Sequence, residues 1–147
     1  MPAPTASQLE PLAQAALTSA GIRGENAGDL AKALAETTAN ALSLLLAQAM
    51  VLPGIPAAAP PPAGSGSTAG PGRLLPPPAG GPDASQLEPL ALAALTSAGI
   101  RGENAGDLAK VMAGALAQGI QLFTAQVLVA PGIPIAGFVT SAPGRLM

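Results

Sequence analysis

The second half of the chain carries an apolar stripe with the period of an α-helix. Between residues 108 and 127, large apolar side chains recur at spacings of four and three, which places them on one helical face. The stripe consists of Leu108, Met112, Leu116, Ile120, Phe123 and Val127. A second row, with alanine at Ala109, Ala113 and Ala117, follows at four-residue spacing. Because small residues let helix backbones approach closely, the pattern predicts a long helix that is buried on two faces.

The same pattern occurs twice, because the chain contains an internal duplication. Residues 6–32 and 84–110 are identical except at one pair of positions, Gln14 and Leu92, and they are offset by 78 residues. A duplication of this kind predicts packed units that bury faces which neither unit could bury alone. The stripe positions in the first unit are Leu30, Leu34, Leu42 and Leu45.

Two short motifs follow each copy. PGIP occurs at Pro53–Pro56 and Pro131–Pro134, and PGRL occurs at Pro71–Leu74 and Pro143–Leu146. Each unit therefore has the same order of parts: a short helix, a tight turn, a long helix, PGIP, a variable arm and PGRL.

Capping signals predict the limits of the helices. Ser7 with Glu10 matches a capping box at the start of the short helix, and Gly21 indicates a left-handed C-terminal cap. The same signals recur in the second unit. The long helices are expected from Asn26 to about Leu52 and from Asn104 to about Ala130, where proline ends them.

The expected fold class is all-α: a tandem duplication of a two-helix hairpin, with four helices in all. Each hairpin is followed by a Pro/Gly-rich extended arm that can form a short β-strand. The predicted parts are hairpin repeat 1 at residues 6–56, a Pro/Gly/Ala-rich linker at 57–82, hairpin repeat 2 at 84–134 and a C-terminal arm at 135–147. We expect residues 135–141 to pair with a neighbour's edge or with the other arm, or to pack on their own helices.

The composition points to association. Hydrophobic residues make up 49% of the 147 residues, but only Phe123 and Phe138 are aromatic. Since large rings normally dominate buried area, an isolated fold of this kind buries little per residue, and oligomerisation is an expected source of stability. Charged residues make up 10%, against about 25% in ordinary soluble domains, so the surface is poorly suited to a monomer.

Catalysis, cofactors and nucleic acid are not expected. The chain has no His and no Cys, which removes the commonest general base and metal ligands, and its six Lys and Arg are scattered singly. Acidic residues at Glu25, Asp29, Glu103 and Asp107 are best explained as helix caps that pair with nearby Arg and Lys. The alternative is that these four carboxylates converge around a hard cation.

A structural protein that assembles with copies of itself, or with other subunits of a larger particle, is therefore the predicted function. We expect assembly in the cytoplasm, or release in a particle by lysis, because the N-terminus lacks the basic and apolar regions of a signal peptide. The predicted interface residues are Leu30, Leu34, Leu42, Leu45, Leu108, Met112, Leu116, Ile120, Phe123, Val127 and Phe138.

A membrane-active protein, such as a holin-like one, is the alternative. Residues 111–130 carry no charge and are long enough to span a bilayer. Against this interpretation, Gln118, Gln121, Thr124 and Gln126 are spread around the helix, and unpaired polar groups in a bilayer are costly. We therefore favour helices buried in a bundle.

The arms resemble those of small structural proteins of tailed bacteriophages and phage-derived particles. In those proteins an Ala-rich helix is often followed by a tail of the form PG…T…APG, as in PGIP running on to SAPGRL at Ser141–Leu146, or to TAGPGRL at Thr68–Leu74. The resemblance covers one helix and one arm of each unit. The resemblance implies a virion component. The chain departs from the family's pattern in its duplication and in its Pro-rich insertion.

Overall fold

The computed structural model describes residues 3–58, 64–136, 139–142 and 144–147. Its helices are α1 (Ala6–Ser19), α2 (Ala27–Gln48), α3 (Ala84–Ser97) and α4 (Ala105–Gln126). Its strands are β1 (Ala57–Ala58), β2 (Gly66–Thr68), β3 (Gly72–Arg73), β4 (Leu128–Val129), β5 (Pro134–Ala136) and β6 (Val139–Thr140). The fold is mostly α, and α1 pairs with α2 as α3 pairs with α4, which confirms the tandem helical hairpins. The structure also contains a few short strands, and the prediction had allowed for a short strand in each arm.

The N-caps of the short helices are Thr5 and Asp83, two residues before the predicted Ser7 cap and its equivalent. In the first unit the backbone N–H of Thr5 donates to Gln8 Oε1 at 2.9 Å. In the second unit Asp83 Oδ1 accepts from the N–H of Gln86 at 3.0 Å. A polar residue followed three positions later by Gln is an overlapping capping signal, and the chain uses it in place of the Ser–Glu pair.

The C-termini of the short helices match the prediction. Gly21 and Gly99 have φ angles of +76° and +85°, which only glycine adopts without strain. The N–H of Ile22 donates to the carbonyl of Leu17 at 2.9 Å, and the N–H of Ile100 makes the same bond one unit later. These are Schellman caps, each with an isoleucine at the position of the hydrophobic contact.

The long helices end four residues earlier than predicted, at Gln48 and Gln126. The residues that follow form backbone hydrogen bonds with PGRL instead of extending the helix. The N–H of Leu52 donates to the carbonyl of Arg73 at 2.8 Å. In the second unit the N–H of Ala130 donates to the carbonyl of Arg145 at 2.7 Å. Each PGRL therefore folds back onto the end of its own hairpin.

The strands form two antiparallel sheets that both run from the first unit to the second. The first sheet has the order β1-β2-β5-β6. The second, which we call the PGRL ribbon, joins β3 to β4 and is extended by bridges from Val51 to Leu74 and from Val129 to Leu146. The segment predicted as a linker at 57–82 is thus folded where it is described, since it contributes β1, β2 and β3.

The helical core lies between the two hairpins. One buried cluster joins Ala33 of α2 to Ala94 and Leu95 of α3, and a second joins Ala41 of α2 to Leu87 of α3. The fully buried Thr37 is satisfied because its hydroxyl donates to the carbonyl of Ala33 at 2.7 Å. α3 is therefore central, packed on both α2 and α4, whereas α1 packs mainly on α2.

Gly144→Ala is expected to lower the free energy of unfolding by about 1–3 kcal/mol. A Cβ at Gly144 would lie 2.6 Å from Val129 Cγ1 and 2.8 Å from Ile133 Cδ1, both in a buried cluster. Gly102→Ala is the control, because a Cβ there meets no other atom within 4 Å. Thermal unfolding followed by circular dichroism measures both variants. Equal melting temperatures for the two would show that PGRL does not need its glycine.

Candidate functional site

Most of the predicted interface stripe lies inside the single chain. Buried members are Leu45, Met112, Ile120 and Val127. Half-buried members that pack on the core clusters are Leu30, Leu34, Leu42, Leu108 and Leu116. Phe123 is 45% exposed, and Phe138 lies outside the described residues. These nine predicted interface residues therefore pack within the single chain, and a surface for partners has to be sought on other faces.

The helix α4 has a second apolar face, opposite the one that packs on α3. This face, called here the α4 outer face, has no charged residue and is exposed at every position. Its members are Val111, Ala115, Gly119, Leu122 and Gln126. Side chains at this spacing share one side of a helix, so they form a continuous strip along α4.

The equivalent face of α2 is covered. It consists of Ala33, Thr37, Ala41, Leu44 and Gln48, which are all buried or half-buried. Ala33 is 0% exposed, for example, whereas its equivalent Val111 is 67% exposed. The cover on α2 comes from the second hairpin, above all from α3. The two units thus share an apolar face, and only the first unit has a neighbour on it.

In the short helices the exposure is reversed: the face is covered in the second unit and exposed in the first. Ala94 of α3 and Ala98, the residue after α3, are buried in the cluster with α2, and Leu90 is half-buried. Their equivalents in α1 form what we call the α1 outer face. All three are exposed: Leu12, Ala16 and Ala20. A surface that α3 uses within the chain is therefore present on α1 without a partner in the described structure.

The two edges of the PGRL ribbon are also apolar and exposed. Met50 and Val51 lie at one edge, in the first unit, and Leu146 and Met147 lie at the other, in the second unit. Exposed apolar side chains scattered singly are ordinary, but contiguous patches mark interaction sites. We call α1 together with the Met50–Val51 edge the α1 side, and α4 together with the Leu146–Met147 edge the α4 side. Among the described residues eleven large apolar side chains are exposed, and nine of them lie on these two sides: Leu12, Ile22, Met50, Val51, Val111, Leu122, Phe123, Leu146 and Met147.

An apolar groove of about 440 Å³ borders the α4 outer face. Leu42, Leu45 and Leu46 of α2 form one wall, and Leu116 and Phe123 of α4 form the other. Every residue that lines it is apolar. The groove offers no polar group to orient a small ligand or a reacting atom, so it fits the burial of apolar surface better than chemistry.

The charged groups of the described residues do not converge. Lys110 Nζ lies 4.0 Å from Asp107 Oδ1, one turn away on an exposed helix surface. No group of three or more metal-ligating side chains is found in the part of the chain that the structure describes, so the cation alternative gains no support. The Ser85 hydroxyl, 2.6 Å from Asp83 Oδ1, and the Gln86 N–H hold the pKa of Asp83 below its ordinary value. That carboxylate acts as a helix cap.

Among the helices of the described residues, none combines the length and apolar character needed to cross a bilayer.

The structural role of the PGIP and PGRL motifs was not predicted from the sequence. The motifs were identified as repeats, but the pairing of the end of each hairpin with its PGRL segment was not predicted. Gly72 and Gly144 each pack against a Val and an Ile of their own unit. Glycine in the same position of two repeated motifs could have indicated such a close backbone approach.

Comparisons with known proteins add no relative. No family model, no curated protein and no solved structure matches the chain.

Proposed function

We propose that this chain is a structural protein that oligomerises through apolar surfaces on its α1 and α4 sides. A structural role is proposed and not an enzymatic one. The observation that carries the proposal is the grouping of its exposed large apolar residues on these two sides. Covering such surfaces in an assembly removes apolar area from water, at about 25 cal/mol per Å².

The chemistry of these surfaces supports a protein partner. On the α4 outer face the only polar side chain is Gln126, and the strip from Val111 to Leu122 offers methyl groups and a glycine. Helix faces built from small and aliphatic residues pack closely against other helices. Such a strip has no arrangement of donors and acceptors for nucleic acid or a polar metabolite.

A virion or virion-like particle is the setting that we propose for this assembly. The support for it is the resemblance of the Ala-rich helices and PG…APG arms to structural proteins of tailed bacteriophages. Cytoplasmic assembly before incorporation into the particle belongs to the same proposal. A duplicated chain fits such a setting because one polypeptide can occupy two neighbouring equivalent positions.

Sedimentation velocity of the purified chain, with and without a mild detergent, tests the proposal. The expected result is a species larger than one chain in plain buffer, with a proportion that rises with protein concentration. Detergent should not be needed to keep the protein in solution.

Two outcomes would contradict the assembly function. A single compact chain at all concentrations would show that the exposed sides do not associate. A protein that stays in solution only with detergent, and that makes liposomes leak, would favour the membrane-active alternative.

A further inference from the structure

We infer that copies of this chain join head to tail, with the α4 side of one copy against the α1 side of the next. This inference rests on the proposed function and adds the partner and the geometry. The contact between two chains would repeat the contact that joins the two units inside one chain. We call that internal contact the unit junction; it consists of α2 against α3, β2 against β5 and β3 against β4.

The helices supply the first support. Inside the chain, the face of α2 around Ala33 and Ala41 is covered by the face of α3 around Ala94. The α4 outer face around Val111 and the α1 outer face around Ala16 are the equivalent pair, and both are exposed. At three of the first four positions the residue on α4 is no larger than its equivalent on α2: Ala115 matches Thr37, Gly119 matches Ala41 and Leu122 matches Leu44. At the fourth position the small Ala33 is replaced by the larger but still apolar Val111. A second copy therefore meets on α4 the kind of surface that α3 meets on α2.

The four-stranded sheet supplies independent support. At the unit junction, Thr68 is bound on its β5 side by three hydrogen bonds. Its N–H donates to the carbonyl of Ile133 at 3.0 Å, its carbonyl accepts from the N–H of Gly132 at 2.8 Å, and its hydroxyl accepts from the N–H of Ile133 at 3.0 Å. Thr68 is 5% exposed, which shows how fully the junction encloses it.

Thr140 is the equivalent of Thr68 at the outer edge of the sheet. Thr68 pairs with Ala57 in β1, and Thr140 pairs with Ile135, 78 residues after Ala57, in the same register. The threonine is retained at this edge position, but here it is exposed. In a head-to-tail contact it would bind Gly54 and Ile55 of the next copy, which are the equivalents of Gly132 and Ile133.

The PGRL ribbon also has outer edges that are equivalent to the strands which pair at the unit junction. At the unit junction, Gly72 pairs with Val129 and Arg73 pairs with Leu128. The equivalent partners between chains are residues 144–145 of one copy and residues 50–51 of the next. Both segments lie at the edges of the ribbon. The first is followed by the exposed Leu146, and the second contains the exposed Val51. Unpaired edges of this kind are templates for strand addition.

The order of the strands argues against closure within one chain. In the sheet β1-β2-β5-β6, β1 and β6 are separated by three strand spacings, or about 14 Å at about 4.8 Å each. The two edges face away from each other and cannot pair. If a two-fold axis related the two units, either equivalent strands would meet, or a contact of β2 with β5 would require a contact of β6 with β1 that closes the sheet. In the structure β2 pairs with β5, which is the equivalent of β1, and the sheet is open. Such a junction is heterologous, so its repetition gives a ring or a filament.

Thr140→Val is expected to weaken assembly by about fivefold, because the N–H of Ile55 in the next copy would lose its acceptor. The melting temperature of the separate chain should stay the same. The matched variant Thr68→Val removes the acceptor of Ile133 N–H inside the chain, so it should lower that melting temperature. A Thr140→Val protein that assembles like the unchanged chain would overturn the continuous sheet.

Mixing two blocked variants tests the geometry as a whole. Val111→Glu places a charge on the α4 side and leaves the α1 side intact, whereas Ala16→Glu does the reverse. Each variant alone should remain a single chain in sedimentation velocity, and a mixture should form a species of two chains with 1:1 composition. Circular dichroism establishes that each variant is folded. If Val111→Glu does not fold, Leu122→Glu takes its place, and if Ala16→Glu does not fold, Ala20→Glu takes its place.

The outcomes separate this inference from the proposed function. If the unchanged chain assembles and Ala16→Glu assembles as well, the head-to-tail contact is wrong and the general assembly function stands. The same holds if both variants are single chains but the mixture forms no pair. If the unchanged chain is itself a lone species, both proposals fail.

Discussion

Ala33→Glu is expected to unfold the chain, whereas the equivalent change Val111→Glu leaves it folded. Ala33 lies in the cluster between α2 and α3 and is 0% exposed, so a carboxylate there has no room and no partner. Burial of an unpaired charge costs more than about 4 kcal/mol, which is comparable with the whole stability of a small domain. Val111 is 67% exposed, so its replacement costs the separate chain little.

Circular dichroism and sedimentation velocity together check this pair. Ala33→Glu should lose its helical signal or melt far below the unchanged chain. Val111→Glu should keep the helical signal and lose only the larger species. Similar melting temperatures for both variants would mean that α2 and α4 are equally covered, which is contrary to the described fold.

Leu87→Ala is expected to lower the free energy of unfolding by about 2–5 kcal/mol. Leu87 is 0% exposed in α3, where it packs with Ala41, Leu45 and Ile120 from both long helices. Its equivalent Leu9 is half-buried in α1, so Leu9→Ala should cost about 1 kcal/mol, since fewer contacts are lost.

Urea unfolding measures the difference between these two alanine variants. Both are best made in the Val111→Glu background, so that association does not add to the stability of either. The expected order is a much larger loss for Leu87→Ala. Equal losses would show that α1 is enclosed as α3 is, as it would be in a closed four-helix bundle.

The sequence predicts the helical hairpins well because their signals are local. The left-handed glycines at Gly21 and Gly99 depend on a few neighbouring residues. Asn26 and Asn104 stand at the predicted N-terminal positions of the long helices, but their side chains make no capping hydrogen bond. The long helices were predicted to extend too far, because residues after Gln48 and Gln126 pair with PGRL segments that lie fifteen or more positions away along the chain. Partners at that distance leave no trace in helix periodicity.

The segment at 57–82 was interpreted as a linker for a related reason. Pro, Ala, Gly and Ser dominate it, and such residues carry no apolar alternation. Its strands β1 and β2 are held by backbone bonds and by the Thr68 hydroxyl, which composition does not show.

The candidate site was the hardest part to predict. Periodicity identified the stripe from Leu108 to Phe123 as apolar, but it could not say that α3 covers most of that stripe within the chain. The α4 outer face mixes the large Val111 and Leu122 with the small Ala115 and Gly119, so it gives a weaker periodic signal than the stripe. Only the comparison of equivalent positions in the structure, such as Thr68 with Thr140, shows which surfaces are covered in one unit and exposed in the other.

Cross-linking between introduced cysteines tests most directly whether the two outer sides form the unit junction between chains. The chain has no cysteine, so a short bismaleimide reacts only at the chosen positions. Ser67→Cys with Pro134→Cys, which are exposed and directly paired across the unit junction, calibrates the reagent and should link within the chain. The pair Ala16→Cys with Val111→Cys, whose equivalents are Ala94 and Ala33 at the unit junction, is predicted to give a ladder of linked chains in a denaturing gel. Linked single chains alone, or no linkage while the calibrating pair reacts, would contradict the account.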